Sequence, residues 1–388
     1  MSNISKMLES YFPYCSTYKK KYNSNTFIQI YNDMKDGFEF VENNKNQMYT
    51  FLIERNIHNP EKYNYIPLIV RENIENNLSN CLSCEFLLNS RKIKIFFILE
   101  KKITKKIIQK YTNFVFFITV WLYIISKYSS YKCSQKLNIY IYSSSLLKLL
   151  PQQNIVLNQE HINTAFTNLC SEIIIFRNEE WFKVFIHETL HNFNLDFSNM
   201  NTEKCNRIIK NIFHVNSDVN LYESYAEFWA RVMNISFISY IHTNNFNNFS
   251  KVFERLINIE ISYSTFQMIK ILDHMNLTYD DIIDTFQEKY KESTNVLSYF
   301  VITNILLFNY VDFLSWCYLD NNLYDFKKTN SNILDYCKFI KNKYYNNTFL
   351  ENVDKINKFY LKMKKCKNKN KKINYLMKNL RMTVYELI

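Results

Sequence analysis

The chain has 388 residues, 47% hydrophobic and 17% aromatic, which is enough apolar surface for a large core and excludes global disorder. A single glycine, Gly37, excludes P-loop and G-x-G-x-x-G nucleotide cradles. A formal net charge of +12 favours polyanionic surroundings, and the abundance of Asn, Lys, Ile, Tyr and Phe reads as the codon bias of an A/T-rich genome.

At roughly 100–200 residues per domain the length suits two domains or three small ones. Residues 1–80 read as helices punctuated at Pro13, Pro60 and Pro67. Residues 84–89 and 92–99 alternate as two strands about Ser90–Arg91 and predict a hairpin. Residues 103–128 have the length and apolar spacing of a long helix. Strands follow at 136–143 and, in a β-branched run, at 172–177. A helix is expected next, with Asn178 as N-cap and Glu179 and Glu180 at the positive end of its dipole. Beyond residue 200 nearly everything reads as helix. The apolar stretches 111–126 and 295–319 are expected to be core helices; the first is short of the ~20 residues a bilayer requires and the second holds Asn304, Asn309 and Asp312. No membrane span is expected.

The nine cysteines are odd in number and irregularly spaced, and no secretory signal precedes them, so free thiols in a cytoplasmic setting are expected. Cys81 and Cys84 form a lone C-x-x-C without a second pair, which reads as structural. Seven lysines between Lys362 and Lys372 read as a solvated run that offers at most a weak nucleic-acid contact.

Chemistry concentrates at 181–197, WFKVFIHETLHNFNLDF. His187-Glu188-Thr189-Leu190-His191 is an H-E-x-x-H. Positions i and i+4 share a helix face, so His187 and His191 can reach one metal ion, while Glu188 sits beside them where its carboxylate can reach a metal-bound water. A catalytic zinc takes a third protein ligand. Glu223, in Leu221-Tyr222-Glu223-Ser224-Tyr225-Ala226-Glu227, is the first candidate, with Glu227 on the same face able to support a ligand histidine. Two of the chain's three alanines, Ala226 and Ala230, fall here and imply close packing. Asp196 is the weaker candidate, since it is one residue out of phase with the position a metzincin would use.

H-E-x-x-H followed some thirty residues later by E-x-x-A-E resembles the gluzincin zinc metallopeptidases, in particular those with a lethal-factor-like third-ligand helix. The stretch 160–232 also looks like predicted metallopeptidases of giant DNA viruses. The resemblance implies an α+β fold with a zincin-like core: a helical N-terminal region 1–80, a subdomain 81–200 carrying the H-E-x-x-H helix, a helical subdomain 201–361 with the third ligand, and a Lys-rich tail 362–388. It implies that 103–128 is the backing helix, that 172–177 is the edge strand beside the cleft, and that one Zn²⁺ is held by His187, His191 and Glu223, with Glu188 as general base and peptides or proteins as substrates. In the lethal-factor-like pattern a Tyr precedes the ligand Glu by seven residues. Asn216 occupies that position here, and His214, Tyr222 and Tyr225 are the substitutes nearby. The alternative is a virion-associated structural or nucleic-acid-binding protein that keeps an inactive zinc-bound core.

Overall fold

The computed structural model describes all residues except 1, 13–23, 154, 244, 367–369 and 388, so Pro13, Cys15 and part of the Lys-rich run lie outside the described residues. The architecture is α+β. Six strands, β1 (Thr50–Glu54), β2 (Asn80–Leu88), β3 (Arg91–Leu99), β4 (Lys136–Tyr142), β5 (Ala165–Thr167) and β6 (Ile173–Ile175), form one mixed sheet. The order is β1-β2-β3-β4-β6-β5, with β3, β4 and β6 parallel and the other neighbours antiparallel. The expected hairpin is β2–β3; its turn is Asn89–Ser90, both at positive φ (48° and 64°), the backbone a tight two-residue hairpin turn demands.

Two expectations about strands change. Residues 1–80 are not purely helical, because Thr50–Glu54 adds the outer strand β1. The strand within 172–177 is not the edge. Ile173–Ile175 is buried between β4 and β5, and the free edge belongs to β5. An all-isoleucine run is what a strand covered on both faces and both edges requires.

The sheet separates two cores. The smaller holds helix Leu68–Asn77 against Cys81, Ile98, Tyr140, Ile174 and Phe176. The larger unites the other face with the helices of both halves of the chain. Helix Lys105–Ser126 lies on that face, beneath β2 and beside helix Ser24–Met48. By length and composition it is apolar enough to cross a membrane, and here ten of its residues are buried in the protein. Gly37 marks its contact with Ser24–Met48: a Cβ there would meet Val120 and Ile124 at 3.1 Å. Cys81 and Cys84 point into opposite cores, so they cannot act together, and burial pushes their thiols up to about 11 and about 12.

Free thiols are not found throughout. Cys133, before β4, is disulfide-bonded to Cys170 in the β5–β6 turn. The region 295–319 is not one helix: a π-helical turn Leu297–Ile302 leads into Thr303–Phe308, and the chain bends by 90° at Asn309 before Tyr310–Asp320. After the Lys-rich run the chain is not a loose tail. Leu380 through Tyr385 are buried, behind the helix that carries His187.

Candidate metal centre

Helix Trp181–Asn192 is enclosed on every side, with His191 the one residue left partly open. Its apolar positions run all round it, the pattern of a core helix. Helix Lys105–Ser126 holds it through Trp121, whose Nε1 donates to Thr189 Oγ1 at 2.6 Å, and through Phe114, stacked on Trp181 at 4.2 Å. Its start differs from expectation. The helix begins after Glu180, which is left-handed (φ 58°) and makes no capping bond. Glu179 and Glu180 turn inward instead. Glu180 pairs with the buried Lys148 and accepts the amides of Met382 and Thr383, and Glu179 accepts Lys148 N and Asn379 Nδ2. Once buried, these carboxylates require such partners, because an uncompensated buried charge is strongly destabilising.

His187 and His191 face the cleft with their Nε2 atoms 3.0 Å apart. Glu223, in the first turn of helix Leu221–Ile241, completes the group: its Oε2 is 3.1 Å from His187 Nε2 and 3.3 Å from His191 Nε2. The three donor atoms lie within 4.8 Å of one another. Each histidine's other nitrogen meets a carboxylate. His187 Nδ1 is 3.1 Å from Glu227 Oε2, and His191 Nδ1 is hydrogen-bonded to Asp196 Oδ2. Asp196 is therefore placed behind His191 and outside the donor group. Its other oxygen accepts from Ser198 Oγ at 2.9 Å. Glu227 is gripped by Lys183 Nζ (3.0 Å to both oxygens) and Arg231 Nε (2.8 Å). Ala226 and Ala230 on this helix are fully buried, as their small size implies.

The electrostatics follow from this packing. Burial depresses His191, but Asp196 and Glu223 outweigh it and hold the imidazole well above its usual range. Burial alone would raise Glu223 and Glu227, yet the histidines pull the first down, and Lys183 and Arg231 the second, so both stay ionised. Glu188 differs. It is nearly buried, lines the cleft, and has no hydrogen-bond partner among the described residues. Burial raises its carboxyl, only partly offset by His187 and His191.

The cleft measures about 820 Å³. One wall is β5 and the turn after it; the other is Asp218 to Tyr222 with Glu292 to Asn295. The β5 wall is clamped to the helix by Asn192, whose Nδ2 donates to Thr167 Oγ1, Asn168 O and Ser171 O, while its own carbonyl accepts Cys170 N at 2.8 Å.

No family model, curated protein or solved structure matches this chain.

Two cleft residues escape sequence reasoning. Tyr299, on the π-helical turn, donates its hydroxyl to Glu223 Oε2 at 2.9 Å, and Asn295 Nδ2 donates to Glu223 Oε1 at 3.1 Å. Both lie in or beside the stretch read as a plain core helix; the π-helical turn, a form frequent at functional sites, has no sequence mark here. Of the substitutes considered, Tyr225 is buried with its hydroxyl on Leu323 O and Tyr324 O, His214 is not in the cleft lining, and Tyr222 lines the cleft with its ring 5.8 Å from that of His191.

Proposed function

We propose that this chain is a zinc-dependent peptidase of the gluzincin kind, built on a zincin-like core. One observation carries the reading. With a carboxylate at each Nδ1, the two Nε2 atoms face each other across 3.0 Å with a carboxylate oxygen beside them. Three electron-rich atoms so close repel unless a cation or protons lie among them. Two imidazoles and one carboxylate suit zinc and leave a coordination position open, whereas calcium and magnesium prefer oxygen-only sets.

When bound, zinc supplies a water whose pKa falls to about 7 and an electrophile for the scissile carbonyl. The chain's own residues do the rest. Glu188, unpaired and made more basic by burial, accepts the water's proton and returns it to the leaving amine. Tyr299, whose hydroxyl donates to Glu223 Oε2, is assigned as the donor to the oxygen that becomes negative as the carbonyl is attacked. Asp196 and Glu227 fix the tautomer and angle of the two imidazoles. The free edge of β5 gives an extended peptide a ladder to join.

The test is metal content and cleavage measured together. Wild type should hold about one zinc per chain. Glu223→Ala should lose it, and Glu188→Gln should keep it while cleavage of a denatured protein substrate collapses. A Glu223→Ala protein that binds zinc like wild type, or a Glu188→Gln protein that cleaves like wild type, rejects the reading.

A further inference from the structure

A second cavity of about 380 Å³ lies across β5 from the metal centre, and it shares with the cleft the residues of β5 itself. Its apolar wall is Phe166, Phe176 and Tyr65. The Phe166 ring is 6.4 Å from each of the other two. Tyr65 is 72% exposed, so its ring is open to a ligand at the mouth of the cavity.

The register of β5 ties this cavity to the cleft. Ala165 and Thr167 pair with Ile175 and Ile173, and Phe166 pairs with Ile174. Ala165, Ile173 and Ile175 belong to the core on the metal-helix side. Ile174, with Phe166 packed against it, belongs to the core on the other side. Phe176 N donates to Thr164 O, so the alternation of an antiparallel ladder bonds Phe166 inward to β6 and turns the backbone groups of Ala165 and Thr167 outward. A peptide joining that free edge places the residue opposite Phe166 on the Phe166 face, and its neighbours on the metal face.

We infer that this cavity is a specificity pocket for one large aromatic side chain of an extended peptide. That side chain alternates along the bound strand with the residues presented to the metal centre. The inference rests on the peptidase reading for its substrate class, but the pocket itself acts by binding. Phe166 and Tyr65 determine the preference, because they supply the rings that an aromatic side chain covers. The polar lining, Lys62 and Gln159 among it, fits the hydrated rim of such a site.

The test uses the zinc-loaded Glu188→Gln chain, which binds without turnover, and fluorescein-labelled Ser/Thr peptides carrying a single Phe walked along the sequence. Parallel sets carry Ala or Glu in its place. At one position Phe should bind about tenfold tighter than Ala, the ratio expected for burying an aromatic ring. Tyr65→Ala and Phe166→Ala should each shrink that ratio. Tyr65→Ala removes an exposed ring and leaves the core intact. Equal binding of Phe and Ala peptides, a preference for Glu, no binding of any peptide, or a preference unchanged in both variants overturns the pocket. Wild-type cleavage of the same peptides tests the chemistry separately. A Phe preference without cleavage keeps the pocket and rejects the peptidase, and cleavage without a preference does the reverse.

Discussion

Glu227 Oε2 lies 3.1 Å from His187 Nδ1, and the same carboxylate is held by Lys183 and Arg231. This acid, four residues after Glu223, reaches the His187, His191 and Glu223 group through His187. Its negative charge keeps the proton on Nδ1 and the Nε2 lone pair on the cleft side. Glu227→Gln should therefore lower zinc affinity about 10–100-fold in a chelator competition. It should also cost several kcal/mol of stability, roughly 3–5, because two buried cations lose their counter-charge. Zinc affinity equal to wild type would show that the bond orients nothing.

Tyr299→Phe removes a single hydroxyl. If that hydroxyl stabilises the developing oxyanion, kcat should fall about 10²–10³-fold with zinc retained and KM little changed. A rise in KM with kcat preserved would assign Tyr299 to substrate binding instead.

The Cys133–Cys170 bridge pins the β5–β6 turn beside Asn192. In protein purified without reductant and then denatured, both cysteines should resist alkylation while Cys81, Cys84 and Cys205 react. Cys170→Ser should cost about 2–4 kcal/mol in denaturant unfolding. Alkylation of Cys133 before reduction refutes the bridge.

Glu260 is fully buried. Its Oε2 accepts Val384 N at 2.9 Å, its Oε1 has no hydrogen-bond partner among the described residues, and burial raises its carboxyl to about 7 from an ordinary 4.5. A carboxyl raised on folding binds its proton more tightly in the folded chain. Its contribution is thus fully present below about pH 4.5 and is lost as pH rises through about 7. Glu260→Gln should leave stability near pH 4 almost unchanged and raise it at pH 8, by an amount on the order of 3 kcal/mol at most. Equal effects at the two pH values would show that Glu260 is not titrating.

The long-range parts of the site were the least legible. The i, i+4 pairs His187/His191 and Glu223/Glu227 could be read directly, because a helix fixes which side chains share a face within two turns. The hairpin β2–β3 and the helix Lys105–Ser126 were legible for the same reason: apolar periodicity and turn chemistry are local. The edge strand was misassigned because an apolar run shows that a strand is buried, not which neighbour it pairs with. Glu179 and Glu180 looked like dipole partners since nothing nearby in sequence reveals Lys148 or the amides of Met382 and Thr383.

By itself, then, the sequence determined which chemical groups share a helix: two imidazoles on one helical face with a carboxylate beside them, and an acidic pair on another helix. Tertiary structure alone decided that Glu223 meets both Nε2 atoms, that Asp196 stands behind His191, and that Tyr299 arrives from a chain segment far along the sequence. Helical periodicity is a property of a few adjacent residues. The meeting of distant residues is set by how whole apolar faces pack, and no short stretch of the chain encodes that.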